Sequence, residues 1–168
     1  WSLTPFADLG KEWDLARTGY KLKPYPSGGL GHTAIDAALE LRGSVPLSEI
    51  AGVEVAITKY ARRRYTDRYP TTVEAAKFSA AYVIAYSLVH GAPRIPAFTE
   101  AALKDERVRA MAKLVTSSPD PSLSDAFGES PAKLKITLKS GQTFEHQQDY
   151  ALGSQKRPMT QAQLEEKF

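Results

Sequence analysis

The spacing of apolar and polar positions changes period several times along the chain, and each change predicts an element. Residues 53–60 (VEVAITKY) alternate with period two, as a strand with one buried face requires. Ile35, Ala38, Leu39 and Arg42 stand at helical spacing and predict a helix over 32–42, stopped by Gly43. Thr71 and Glu74 form a capping box that opens a long apolar helix, carried to about His90 and ended by Gly91. Thr99 caps a short helix over 100–104. Asp105 caps the next, where Val108, Met111, Ala112 and Val115 make one apolar stripe. Residues 116–131 are rich in Ser, Pro, Asp and Gly and read as loop. Residues 133–139 and 143–150 read as strands joined by a turn at Ser140 and Gly141. Thr160 and Gln163 form a second capping box, opening a helix over 161–168. A weaker alternation over 20–25 predicts a short strand that runs into a proline turn.

The order is therefore β-α-β-α-α-α-β-β-α. It predicts an α+β fold: a small mixed sheet closed by an antiparallel hairpin, with helices packed on one face. The late hairpin excludes a purely parallel sheet. At 168 residues the chain fits a single domain over 1–168. Trp1 in place of a methionine, and a last helix that reaches Phe168 uncapped, read as the ends of a piece.

Composition narrows the chemistry. The chain has no cysteine, which removes disulfides, thiolate nucleophiles and thiolate metal sites. Its three histidines, His32, His90 and His146, are far apart and make no HExxH pair, so no metal site is expected. Twenty-two basic against nineteen acidic residues leave +3, a mild excess that suits a small anion and does not demand nucleic acid. The longest apolar run, 75–89, is interrupted by Lys77, Ser79 and Ser87. It falls short of the ~20 residues that span a bilayer, so it reads as a core helix. With no basic-then-apolar leader in 1–11, a cytoplasmic protein is expected.

Candidate chemistry gathers in the loop at 26–31 (PSGGLG). Gly29, Gly31 and Ala34 match a GxGxxA spacing. The preceding segment, broken by Pro24 and Pro26, is not the buried apolar strand that a dinucleotide fingerprint follows. No Walker lysine follows either. What remains is a turn opening a helix, with or without a carboxylate docked on its amides. Lys23 stands before this loop as a proton carrier or an ordinary surface lysine, and His32 as a proton shuttle or a helix-entry residue. Arg62, Arg63, Arg64 and Arg68, interleaved with Tyr65 and Tyr69, form the strongest basic cluster. It reads as a carboxylate clamp or a solvated loop rather than a nucleic-acid surface.

Residues 23–37 (KPYPSGGLGHTAIDA) resemble the "K-P-Y-P … H-x-x-I-D-A" segment of the MmgE/PrpD family. Residues 74–82 (EAAKFSAAY) with 88–91 (LVHG), then 98–108, and finally Pro158-Met159-Thr160 with Lys167-Phe168, are similar to further segments of that family, in the same order. The family includes 2-methylcitrate dehydratase, cis-aconitate decarboxylase and an iminodisuccinate epimerase. The resemblance implies the C-terminal lid domain of a two-domain enzyme, with the N-terminal helical domain absent and the active site in the cleft between them. It implies a lyase or isomerase without cofactors, working on a small di- or tricarboxylate by proton transfer at carbon next to a carboxylate, and a homodimer. On this resemblance Lys23, Tyr65 and His32 are catalytic candidates, and Ser27, Gly28 and Gly29 substrate-binding ones. The decarboxylase's additional loop histidine falls on Gly28, which counts against decarboxylation. The isolated chain is expected to be inactive. The competing expectation is a free-standing, non-enzymatic module that binds a small anion or a protein.

Overall fold

The computed structural model describes residues 9–11, 13, 15, 16, 19–126 and 130–167. The Trp1 end, part of the 116–131 loop and Phe168 therefore lie outside the described residues. In chain order the helices are α1 (His32–Arg42), α2 (Lys59–Arg62), α3 (Val73–Ala76), α4 (Ala80–His90), α5 (Glu100–Leu103), α6 (Glu106–Ala112) and α7 (Gln161–Lys167). The strands are β1 (Ile50–Ile57), β2 (Val115–Pro119), β3 (Ala132–Leu138) and β4 (Thr143–Gln148).

The strands form one sheet in the order β2-β1-β3-β4. β1 and β2 are parallel, and the other two pairs are antiparallel. This is the expected mixed α+β sheet. Val53, Val55 and Ile57 alternate onto one face, opposite Ile136, Leu134 and Ala132 of β3. α1 and α4 pack on that face, burying Ile35, Ile84 and Leu88. Each such side chain removed from water contributes about 1.5–3 kcal/mol. The other face is polar, and there Lys135 Nζ meets Glu145 Oε1 at 3.4 Å.

Several boundaries differ from the pattern reading, each for a local reason. β1 starts at Ile50 and stops at Ile57, because Thr58 Oγ1 accepts from the Ala61 amide at 3.1 Å and turns residues 59–62 into α2. The long helix is two helices. Thr72, not Thr71, caps α3, accepting from the Ala75 amide at 3.2 Å. Ser79 then starts α4: its hydroxyl accepts from the Tyr82 amide at 3.1 Å and donates to the Arg68 carbonyl at 2.8 Å. Gly91, at φ 93°, ends α4 as expected. Val115 does not close the α6 stripe; it opens β2, a strand inside the segment read as loop. The expected strand over residues 20–25 does not form; Leu22 makes a backbone bond to the Gly153 carbonyl at 2.9 Å. The Thr160–Gln163 box closes reciprocally, at 2.9 and 3.2 Å.

Candidate functional site

Backbone bonds stitch three separated segments together beside α1. The Gly28 amide donates to the Lys77 carbonyl at 2.9 Å, and the Thr66 amide donates to the Phe78 carbonyl at 3.0 Å. The Ala80 amide returns to the Thr66 carbonyl at 2.9 Å. Tyr65 sits where these strips meet. Its own amide bonds the Ala61 carbonyl, and Arg62 Nη1 donates to its carbonyl at 2.9 Å. Its ring is buried, and its hydroxyl donates to the Gly28 carbonyl. Burial pushes that hydroxyl well above its ordinary tyrosine range, so it stays a neutral donor at physiological pH.

The ring explains the loop's glycines. A β-carbon on Gly28 would lie 2.7 Å from Tyr65 Oη, and one on Gly31 would lie 2.6 Å from the Tyr65 ring. Gly29 instead takes the stem of Lys23, whose Cε would stand 3.8 Å from such a β-carbon. Residues 29–31 form one tight 3-10 turn into α1.

An open cleft of about 430 Å³ lies over this junction. Lys23, Ser27, Gly28, Gly29 and Tyr65, five of the six residues singled out from sequence, line it. Arg64, Lys77 and Phe78 are among the other residues that line it and that pattern reading does not single out individually. Arg64 belonged to the noted arginine cluster, and Lys77 was visible as a cation inside an apolar run. The Arg64 guanidinium lies 5.5 Å from the ring centre of Tyr60, which also lines the cleft. Tyr60 is 51% exposed and Phe78 49%, so the rim is apolar and open.

Lys23, Arg64 and Lys77 thus converge from three segments, and among the described residues no acidic one lines the cleft. None of the three makes an ion pair or a side-chain hydrogen bond among the described residues. Ser27 is 5% exposed, and its hydroxyl makes no hydrogen bond of good geometry among the described residues, although it lies near enough to the Tyr65 hydroxyl to act on its charge. Buried hydroxyls are normally hydrogen-bonded, so Ser27 is poised for a polar group entering the cleft.

His32 is placed differently. It is 3% exposed, packs edge-on to Tyr25 at 5.2 Å, and does not line the cleft. Burial holds its imidazole down to about 4, against the pull of a bond to the Ser27 backbone and with help from the Lys23 and Lys21 charges. It is neutral at pH 7 and sits behind Ser27. Of the other basic candidates, Arg62, His90 and His146 are engaged elsewhere. Arg62 pairs with Asp67 at 3.3 Å, and His90 bonds Asp105, the cap of α6, at 2.7 Å. His146 Nε2 lies 3.4 Å from Gln148 Oε1 on β4. The glycine loop does not follow a strand, and the Gly28 amide is occupied, so the loop lacks the geometry of a dinucleotide fingerprint. Among the described residues no three His, Asp or Glu side chains gather where they could hold a metal ion.

A family model described as the MmgE/PrpD C-terminal domain matches residues 25–168, beginning just after Lys23. Cis-aconitate decarboxylase of Mus musculus is 27% identical over 162 residues, covering 93% of this chain and 33% of that protein. Cis-aconitate decarboxylase of Homo sapiens is 27% identical over 165 residues, covering 93% of this chain and 34% of that protein. The chain spans about one third of the length of these relatives.

Proposed function

The chain belongs to the MmgE/PrpD family, and from that premise we propose that it supplies one wall of the active site of a lyase or isomerase for small polycarboxylates. The observation that carries this reading is the cleft itself, lined among the described residues by three cations and no acid. Gathered like charges repel, and an anion with two or three carboxylates relieves that repulsion. A substrate that already holds several negative charges resists losing a proton from carbon, so the site must stabilise added charge as well as bind it.

Lys23 is the group suited to that step. Tyr65, whose one proton is donated to the Gly28 carbonyl, holds the loop that faces the substrate. Lys23 can neutralise a carboxylate or carry the proton to or from the adjacent carbon. Ser27 offers its buried hydroxyl to a second carboxylate. His32 supports the loop from behind as a neutral ring. A side chain at Gly28 would collide with Tyr65 Oη, so the loop histidine expected of a decarboxylase has no room here. This favours dehydration or epimerisation over loss of carbon dioxide.

The exposed rim at Tyr60 and Phe78 suits a second wall, supplied by a helical domain of the whole enzyme. No helix among the described residues is long and apolar enough to cross a membrane. The reading places the enzyme in the cytoplasm, with its soluble substrates. The test is to titrate the purified chain with citrate, 2-methylcitrate and cis-aconitate while assaying turnover. The expected result is binding without turnover. Turnover by the chain alone overturns the two-wall reading. Absence of any binding overturns the polycarboxylate reading and leaves a protein-binding module.

A further inference from the structure

We infer that Arg64 and Lys77 form a third carboxylate subsite, separate from Lys23 and Ser27, and that they set a preference for three carboxylates over two. This rests on the proposed function above. The cations come from different places. Lys23 lies along the glycine loop, with its stem against Gly29. Arg64 follows α2 and is held against the Tyr60 ring. Lys77 follows α3, and its own carbonyl anchors the Gly28 amide. With Lys23 for one carboxylate and the Ser27 hydroxyl for another, two are provided for without Arg64 or Lys77. Two further cations without acidic partners among the described residues are more than those carboxylates need. A guanidinium held over an aromatic ring is restricted in direction, and its planar fork matches a carboxylate edge.

The experiment compares tricarballylate with glutarate, the same five-carbon chain lacking the central carboxylate, by calorimetric titration of the full 168-residue chain. The wild type should prefer tricarballylate by about tenfold. Arg64→Gln and Lys77→Gln should each bring that ratio down about three- to tenfold while leaving glutarate binding within about twofold. Arg63→Gln, an exposed neighbour that does not line the cleft, should leave the ratio unchanged. Circular dichroism checks that each variant keeps its fold. If Arg64→Gln and Lys77→Gln weaken both ligands equally, the cations act only as a diffuse field and the subsite is overturned. The same holds if the ratio stays put while tricarballylate still binds. If the folded wild type binds neither ligand, it is the polycarboxylate reading that fails.

Discussion

The Tyr25 hydroxyl donates to Asp36 Oδ1 at 2.6 Å, tying the segment that carries Lys23 to the middle of α1. The other carboxylate oxygen accepts from Arg157 Nη1 at 2.7 Å and from the Leu152 amide at 2.8 Å. One buried carboxylate therefore fastens the cleft loop, a core helix and the segment after β4. Burial pushes the Asp36 carboxyl above its ordinary range, while the bonds from Tyr25, Leu152 and Arg157 pull it back. Asp36→Asn should destabilise the fold by about 1–2 kcal/mol, since the amide keeps only part of the bonding to Tyr25, Leu152 and the half-exposed Arg157. Tyr25→Phe should cost about 1 kcal/mol. Denaturant unfolding measures both, and faster hydrogen exchange at the Leu152 amide should accompany Asp36→Asn.

Tyr65 and Gly28 should be coupled. Gly28→Ala places its β-carbon against Tyr65 Oη and should destabilise by about 1–3 kcal/mol. In a Tyr65→Phe background much of that loss should vanish, because the clashing oxygen is gone. Gly31→Ala meets the ring carbons as well, and Tyr65→Phe should not relieve it to the same degree. A double-mutant cycle by thermal unfolding separates the two. Equal relief at both positions would contradict this geometry.

His32 makes stability depend on pH. Its folded value is about 4 against an ordinary 6.5, so between these pH values the unfolded chain binds the proton that the folded chain refuses. Stability should fall as pH drops through that window, by up to about 3 kcal/mol, and should recover above it. Comparing wild type with His32→Gln from pH 4 to 7 isolates this contribution from the carboxylates that titrate nearby. The wild type should show the steeper loss towards acid.

The caps give a local test. Ser79→Ala removes a buried hydroxyl that both caps α4 and holds the Arg68 carbonyl, and should cost about 2 kcal/mol. Thr72→Ala, at an exposed cap of one helical turn, should cost about 0.5–1 kcal/mol. Thr71→Ala should have almost no effect on chemical unfolding.

The sequence by itself determined the elements whose signals are local. The period-two run at Val53, Val55 and Ile57, the apolar spacing in α1, the hairpin turn at Ser140 and Gly141 and the caps Thr99, Asp105 and Thr160 are each decided within a few residues of one another. The mixed sheet followed from their order, and the gathering of candidates at the glycine loop was visible from Lys23 and its neighbours. Tertiary structure decided the rest. β2 is polar and short, and it becomes a strand because β1 offers it a parallel row of backbone partners. The apolar run breaks at Ser79 because that hydroxyl finds the Arg68 carbonyl, which no local spacing encodes. His32 is a titratable residue in the same stretch of chain as Lys23 and Ser27, yet burial behind Ser27 keeps it out of the cleft. Arg64 and Lys77, thirteen residues apart, meet Lys23 only because Gly28 bonds Lys77 and Tyr65 packs under the loop. Local patterns fix what a segment can become. Convergence of charge on one cleft depends on contacts between distant segments, and those exist only in the folded chain.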